Sequence, residues 1–169
     1  MNLTIMGIDP GTVNTGYGLI QVANNHVQCL DYGLIHAKGK NFSVRIHTIH
    51  REIKKLCQLH KPQHLAIEKV FFGKNADTAF KLGHVFALCL LESENQGIEF
   101  FEYASRYVKK AVTFAGNASK ELVQQFVVNF LSLPKEGPLD ATDALAVALC
   151  HSQEYKKNRR QQQVLEKQL

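Results

Sequence analysis

Apolar and polar positions along the chain follow two periods in turn, first that of strands and then that of helices. Residues 3–9 (Leu-Thr-Ile-Met-Gly-Ile-Asp) form a nearly continuous apolar run that stops at Asp9-Pro10-Gly11, the pattern of a buried strand ended by turn chemistry. Residues 16–23 and 27–36 predict two more strands, and Asn24-Asn25 between them suits a hairpin. The opening therefore predicts a three-stranded antiparallel meander. From Asn41 to Leu59 the apolar positions Phe42, Val44, Ile46, Ile49, Ile53, Leu56 and Leu59 fall near a helical period, with Pro62 closing the helix. A short strand is expected from His64 to Val70, followed by a Phe-Phe-Gly-Lys-Asn loop. Asn75 or Asp77 can cap a helix from about Ala76 to Asn95, which Gly97 ends. Ile98 to Tyr103 predicts a fifth strand, and residues 105–113 and 118–131 two further helices. Pro134, Gly137 and Pro138 interrupt the chain before a last helix from about Asp140 to Tyr155.

Strands first in a meander and then alternating with helices imply an α/β fold: a mixed five-stranded sheet, three strands antiparallel and two parallel, flanked by helices. The 169 residues are enough for one domain with its own core, expected over residues 1–154 with a basic, flexible tail over 155–169. The longest apolar stretch, Val85 to Leu91, is far short of the ~20 residues that cross a bilayer, and no signal peptide is evident. An intracellular, cytoplasmic protein is expected. Cys29, Cys57, Cys89 and Cys150 lie far apart, which fits reduced buried thiols rather than a metal knuckle. His47 with His50, and His60 with His64, lack cysteine partners and are expected to be surface histidines rather than a zinc site.

Charge changes the picture. The formal balance is +5, of which residues 155–169 contribute +4 from five basic and one acidic side chain. Residues 38–81 carry ten basic and three acidic side chains, and residues 106–120 carry four basic side chains and no acid. Basic blocks of this kind suit a polyanion such as nucleic acid, although solvated surface gives the same composition.

Four acids stand out against this background. Asp9 ends the first strand and Glu68 lies near the end of the fourth, so if the two strands are parallel neighbours their carboxylates share one end of the sheet. Asp140 and Asp143 are three residues apart at the start of a helix and face the same way. An all-oxygen cluster suits Mg²⁺ or Mn²⁺, and two such ions ~3.5–4 Å apart activate water and stabilise the leaving oxygen in phosphodiester hydrolysis. Duller roles exist for each: Asp140 as an N-cap with Asp143 in the first turn, and Asp9 as an Asx-turn residue. Glu68 is harder to explain away, because an acid late in an apolar strand is costly unless paired or coordinated.

The blocks MGIDPGTVNTGYGLI, AIEKVFFGKNADTAFKLG, YASRYVKKAV with GNASKELVQ, and DATDALAVALCH, in this order and spacing, closely resemble the RuvC crossover junction endodeoxyribonucleases over nearly all of residues 1–151. The resemblance implies a ribonuclease-H-like fold. It also implies a homodimer that binds a four-way Holliday junction and nicks two opposed strands symmetrically in recombination and repair. By motif, Asp9, Glu68, Asp140 and Asp143 match the catalytic acids that hold Mg²⁺. Phe71 matches an aromatic that engages bases at the junction centre, and Lys109 and Lys120 match basic residues near the scissile phosphate. Phe72, Lys74, Asn75 and Lys110 are further expected DNA contacts. The helix from Ala76 matches the one that pairs across the dimer, and its apolar residues are spread round more than one face. RuvA and RuvB are the branch-migration partners the resemblance implies.

The chain departs from the family at His84-Val85-Phe86, where an arginine is usual, at Ser105, where proline is common, and at Phe114, which replaces the first glycine of a turn. Three other readings bear on function. A nucleotide phosphotransferase with a similar opening hairpin needs a second phosphate loop, which this chain lacks. A junction-binding module without catalysis would not need the full acid set. An RNA-processing nuclease of the same fold differs only in substrate.

Overall fold

A computed structural model describes residues 2–24, 26–70, 75–134 and 137–166. Five strands and five helices follow in the order β1 (Asn2–Asp9), β2 (Asn14–Ala23), β3 (His26–His36), α1 (Phe42–His60), β4 (His64–Glu68), α2 (Ala76–Gln96), β5 (Glu99–Tyr103), α3 (Ser105–Thr113), α4 (Lys120–Leu131) and α5 (Leu139–Glu166). The sheet order is β3-β2-β1-β4-β5. The β1–β2 and β2–β3 pairs are antiparallel, whereas β4 and β5 continue the sheet in parallel, as the chain pattern implied.

Side chains alternate between the two faces of the sheet, and each face has its own core. Leu3 and Ile5 of β1, Ile20 and Val22 of β2 and Ala66 of β4 pack with α3, α4 and α5. Met6, Ile8, Leu19, Leu65 and Ile67 point the other way, against α1 and α2. The same alternation puts Asp9 and Glu68 on the α5 side. Chain ends of the helices follow local chemistry. Asn75 caps α2 by accepting from the Thr78 amide at 3.1 Å, and Gly97 closes it at φ 65°. Lys61, in the left-handed region at φ 45°, ends α1 one residue before Pro62.

Two expectations need correction. Helix α5 does not stop near Tyr155 but runs to Glu166, so the basic segment is mostly helical. Its Lys, Arg, Gln and Glu side chains are good helix formers, and no Gly or Pro breaks the run. His64 is not a surface residue. It is buried beneath α5, where its Nδ1 lies 2.7 Å from His151 Nε2, and Tyr103 Oη lies 2.7 Å from His151 Nδ1. Burial keeps His151 neutral, its pKa pushed down to about 3, and lowers that of His64. Of the other histidines, His50 pairs with the buried Glu92 at 3.1 Å, and His60 lies 3.5 Å from Asp31. The four cysteines are free, and Cys57, Cys89 and Cys150 are buried. No helix among the described residues is long and apolar enough to cross a membrane.

Candidate active site

The site is built where β1 and β4 end together. Their parallel register pairs Gly7 with Ala66 and Ile8 with Ile67, so Asp9 and Glu68 follow in step at the carboxyl edge of the sheet. Helix α5 lies on the sheet at backbone contact, and three glycines permit it. A Cβ on Gly7 would meet the Ala144 carbonyl oxygen at 2.1 Å, one on Gly16 the Asp140 carbonyl oxygen at 1.9 Å, and one on Gly18 the Leu145 side chain at 2.6 Å. This close seating carries the first turn of α5 over the strand ends. Because α5 starts at Leu139, Asp140 lies within that turn rather than capping it.

Asp9, Asp140 and Asp143 each offer a carboxylate oxygen within 4.8 Å of the others. Glu68 stands outside that trio but lines the same small cavity, about 90 Å³, with Asp9, Asp143, Ser105, Lys109 and Lys120. The four expected acids are thus gathered at one place, as three close aspartates with a glutamate beside them.

Electrostatics mark the cluster as short of positive charge. Asp9 is pushed up to about 7, first by burial, then by the charges of Glu68 and Asp143, with Lys120 opposing and Asp140 adding a little. Glu68 is also raised, mainly by burial, although the Ser105 hydroxyl donates a hydrogen bond to its carboxylate and pulls the other way. Lys120 Nζ lies 3.0 Å from Asp143 Oδ2, a bond that holds its ammonium charged. Lys109 donates to the Ala118 carbonyl at 2.9 Å from within the cavity wall. The possible metal ligands gathered here are carboxylate oxygens, with no thiolate or imidazole among the described lining residues, which fits a hard divalent cation.

The other expected residues are less concentrated. Lys110 is exposed on α3, about 100° round the helix from Lys109, and does not line the cavity. Asn75 spends its side-chain oxygen on the α2 cap. Phe71, Phe72 and Lys74 lie outside the described residues. In the sequence Ser105 stands out only as a departure from proline. Its place in the cavity depends on the β5–α3 turn, which no spacing rule reveals.

Comparison with known proteins decides the lineage of this arrangement. Residues 5–151 match the sequence model described as "Crossover junction endodeoxyribonuclease RuvC". The chain belongs to the RuvC family. A RuvC crossover junction endodeoxyribonuclease of Bdellovibrio bacteriovorus is 43% identical over 158 residues, covering 93% of this chain and 94% of the relative. One of Pseudoalteromonas atlantica is 44% identical over 148 residues, covering 88% and 86%. Among solved structures, Thermus thermophilus RuvC superposes with a TM-score of 0.82 at 27% identity over 92% of this chain and 97% of its own. The T. thermophilus protein in complex with Holliday junction substrate gives 0.81 at 27% identity, covering 89% and 93%. The sheet order and the helices on both faces are those of ribonuclease-H-like resolvases, and the RuvC assignment makes this chain a crossover junction endodeoxyribonuclease.

Proposed function

We propose that this protein resolves four-way DNA junctions as a Mg²⁺-dependent homodimer, nicking two opposed strands. The observation that carries the reading is the convergence of Asp9, Asp140 and Asp143, with Asp9 and Asp143 sharing with Glu68 a cavity walled by Lys109 and Lys120. The four acids would hold the cation, for which Mn²⁺ can substitute. Bound divalent ions supply charge neutralisation at the attacked phosphate and a more acidic water.

The chain's own residues do the rest. Lys120, held by Asp143, and Lys109, held by the Ala118 carbonyl, present fixed positive charge at the cavity edge, where a phosphodiester gains negative charge on attack. Fixed donors of this kind need no rearrangement during the reaction. Ser105 holds the Glu68 carboxylate in one orientation. Phe71, before α2 in sequence, would engage bases at the junction centre, with Phe72 and Asn75 as further DNA contacts and Lys74 on a phosphate. Lys110, exposed on α3, would meet a flanking phosphate.

Pairing through α2 is supported by Phe80 (67% exposed) and Leu91 (53% exposed), large apolar side chains that the sheet leaves uncovered. Two sites related by a dimer two-fold axis would cut strands of like polarity. Action in the cytoplasm fits the free thiols, and cooperation with RuvA and RuvB follows from the family.

The test is incubation with a synthetic four-way DNA junction, a linear duplex of the same sequence and a structured RNA, at one salt concentration with Mg²⁺. Symmetric nicks confined to the junction are expected from the native protein, and retained binding without nicks from Asp9→Asn. Cleavage of the junction by Asp9→Asn at the native rate, or preference for the RNA, would overturn the reading.

A further inference from the structure

Among the described side chains, Phe114 is the most exposed large apolar one, at 85%. It also stands where a phenylalanine is disfavoured. It ends α3 in the left-handed region, at φ 62° and ψ 3°, a conformation that glycine or asparagine adopts at less cost. An aromatic that gains no burial and adds backbone strain has no folding reason to be there. Strain of this kind collects at binding sites.

The surroundings say what it meets. Arg106 and Lys110 are exposed on α3 and four residues apart, and Phe114 follows at the next interval of four. This is a stripe of two cations leading to an aromatic. No acidic residue occurs from Arg106 to Lys120. The turn that carries Phe114 is well fixed. The Phe114 amide donates to the Lys110 carbonyl at 2.9 Å, and Thr113 Oγ1 bonds the Lys109 carbonyl at 2.8 Å and the Ala115 carbonyl at 3.0 Å. Gly116 lies against the Arg106 side chain. Lys109 reaches from the cavity wall to the Ala118 carbonyl, so the turn is joined to the acidic site through one side chain. A rigid, basic, aromatic-tipped turn beside a phosphodiester-cutting site matches the platform on which nucleic-acid bases stack.

We infer that Phe114 stacks on a base of the DNA strand entering the cavity, with Arg106 and Lys110 on the neighbouring phosphates. The inference rests on the junction-nuclease reading and adds to it an aromatic contact at the turn that ends α3. Its test uses the full chain, a four-way junction carrying 2-aminopurine near the branch point, and the variants Phe114→Asn and Phe114→Trp. Asn suits the left-handed backbone without offering a ring. Phe114→Asn is expected to melt about 2–4 °C higher than the native protein while binding the junction about ten-fold more weakly, with loss of 2-aminopurine quenching. Phe114→Trp is expected to restore affinity and quenching. Native-like affinity and quenching in Phe114→Asn, while the native protein cuts the junction, would overturn this inference alone. Failure of the native protein to cut any junction would overturn the nuclease reading and this inference with it.

Discussion

Replacing Asp9 by Asn should make the metal-free protein more stable while abolishing cleavage. Asp9 is held at about 7 against an ordinary value of 3.8, first because it is buried and then because Glu68 and Asp143 face it. The native state therefore binds a proton more tightly than the unfolded chain does. For a raised carboxyl, stability is highest below pH 3.8, falls as pH rises toward 7, and stays lowered above that. At about 1.4 kcal/mol per pH unit, the full loss is about 4 kcal/mol. Asn keeps the shape and removes the charge, so it should recover about 2–4 kcal/mol at pH 8, or roughly 5–10 °C in Tm for a chain of this size. At pH 4 the two proteins should melt together. A divalent cation closes or reverses this gap at 1,000 times Kd, where binding stabilises the native protein by about 4.1 kcal/mol and the variant by less. Thermal unfolding followed by circular dichroism from pH 4 to pH 8, in chelator and then in Mg²⁺, measures all three. An Asn variant that melts below the native protein at pH 8 in chelator would refute the argument that burying an ionised Asp9 beside the other acids costs stability.

Three further outcomes follow from contacts already described. Gly16→Ala puts a methyl group 1.9 Å from the Asp140 carbonyl oxygen, so α5 must lift from the sheet; a stability loss of about 3 kcal/mol and a nicking rate down by about 10²-fold are expected in unfolding and single-turnover assays. Ser105→Ala removes a donor that favours the charged Glu68, so the acidic limb of the pH–rate profile should move to higher pH, with about 1 kcal/mol or less lost in stability. His151 is neutral in the fold with its pKa near 3, whereas the unfolded chain takes up a proton below about 6.5, so its contribution to stability is lost as pH falls below 6.5. In urea titrations between pH 6.5 and 4, His151→Gln should weaken that acid dependence.

Much of this was legible in the chain because the relevant signals are local. Asp9 and Glu68 each end an apolar run of strand length, and parallel pairing of adjacent strands puts such ends side by side. Asp140 and Asp143 show their common direction through helical spacing alone. The cap and the stop of α2 are residue-type preferences: of Asn75 and Asp77, which the chain offers equally, Asn75 is the cap, and Gly97 is the stop expected. What could not be read depends on packing between distant segments. His64 carries an ordinary surface histidine's sequence context, and only α5 crossing β4 buries it against His151. The end of α5 is not marked in the chain, because turn signals are absent there and a run of charge also fits an unstructured tail. Glycine within a strand is by residue type a weak point, and its use at Gly7, Gly16 and Gly18, the approach of a helix backbone, depends on where α5 packs.

Helix α5 is buried almost without a break from Ala141 to Ser152, wedged between the sheet and the α3–α4 pair, and two of the four acids sit at its tip. Its detachment would empty the centre of the molecule and dismantle the cutting apparatus in the same event. A copy in which α5 has come away from the sheet therefore also loses the grouping of Asp140 and Asp143 with Asp9. For a protein whose task is to break DNA, that coupling is a safeguard supplied by architecture alone.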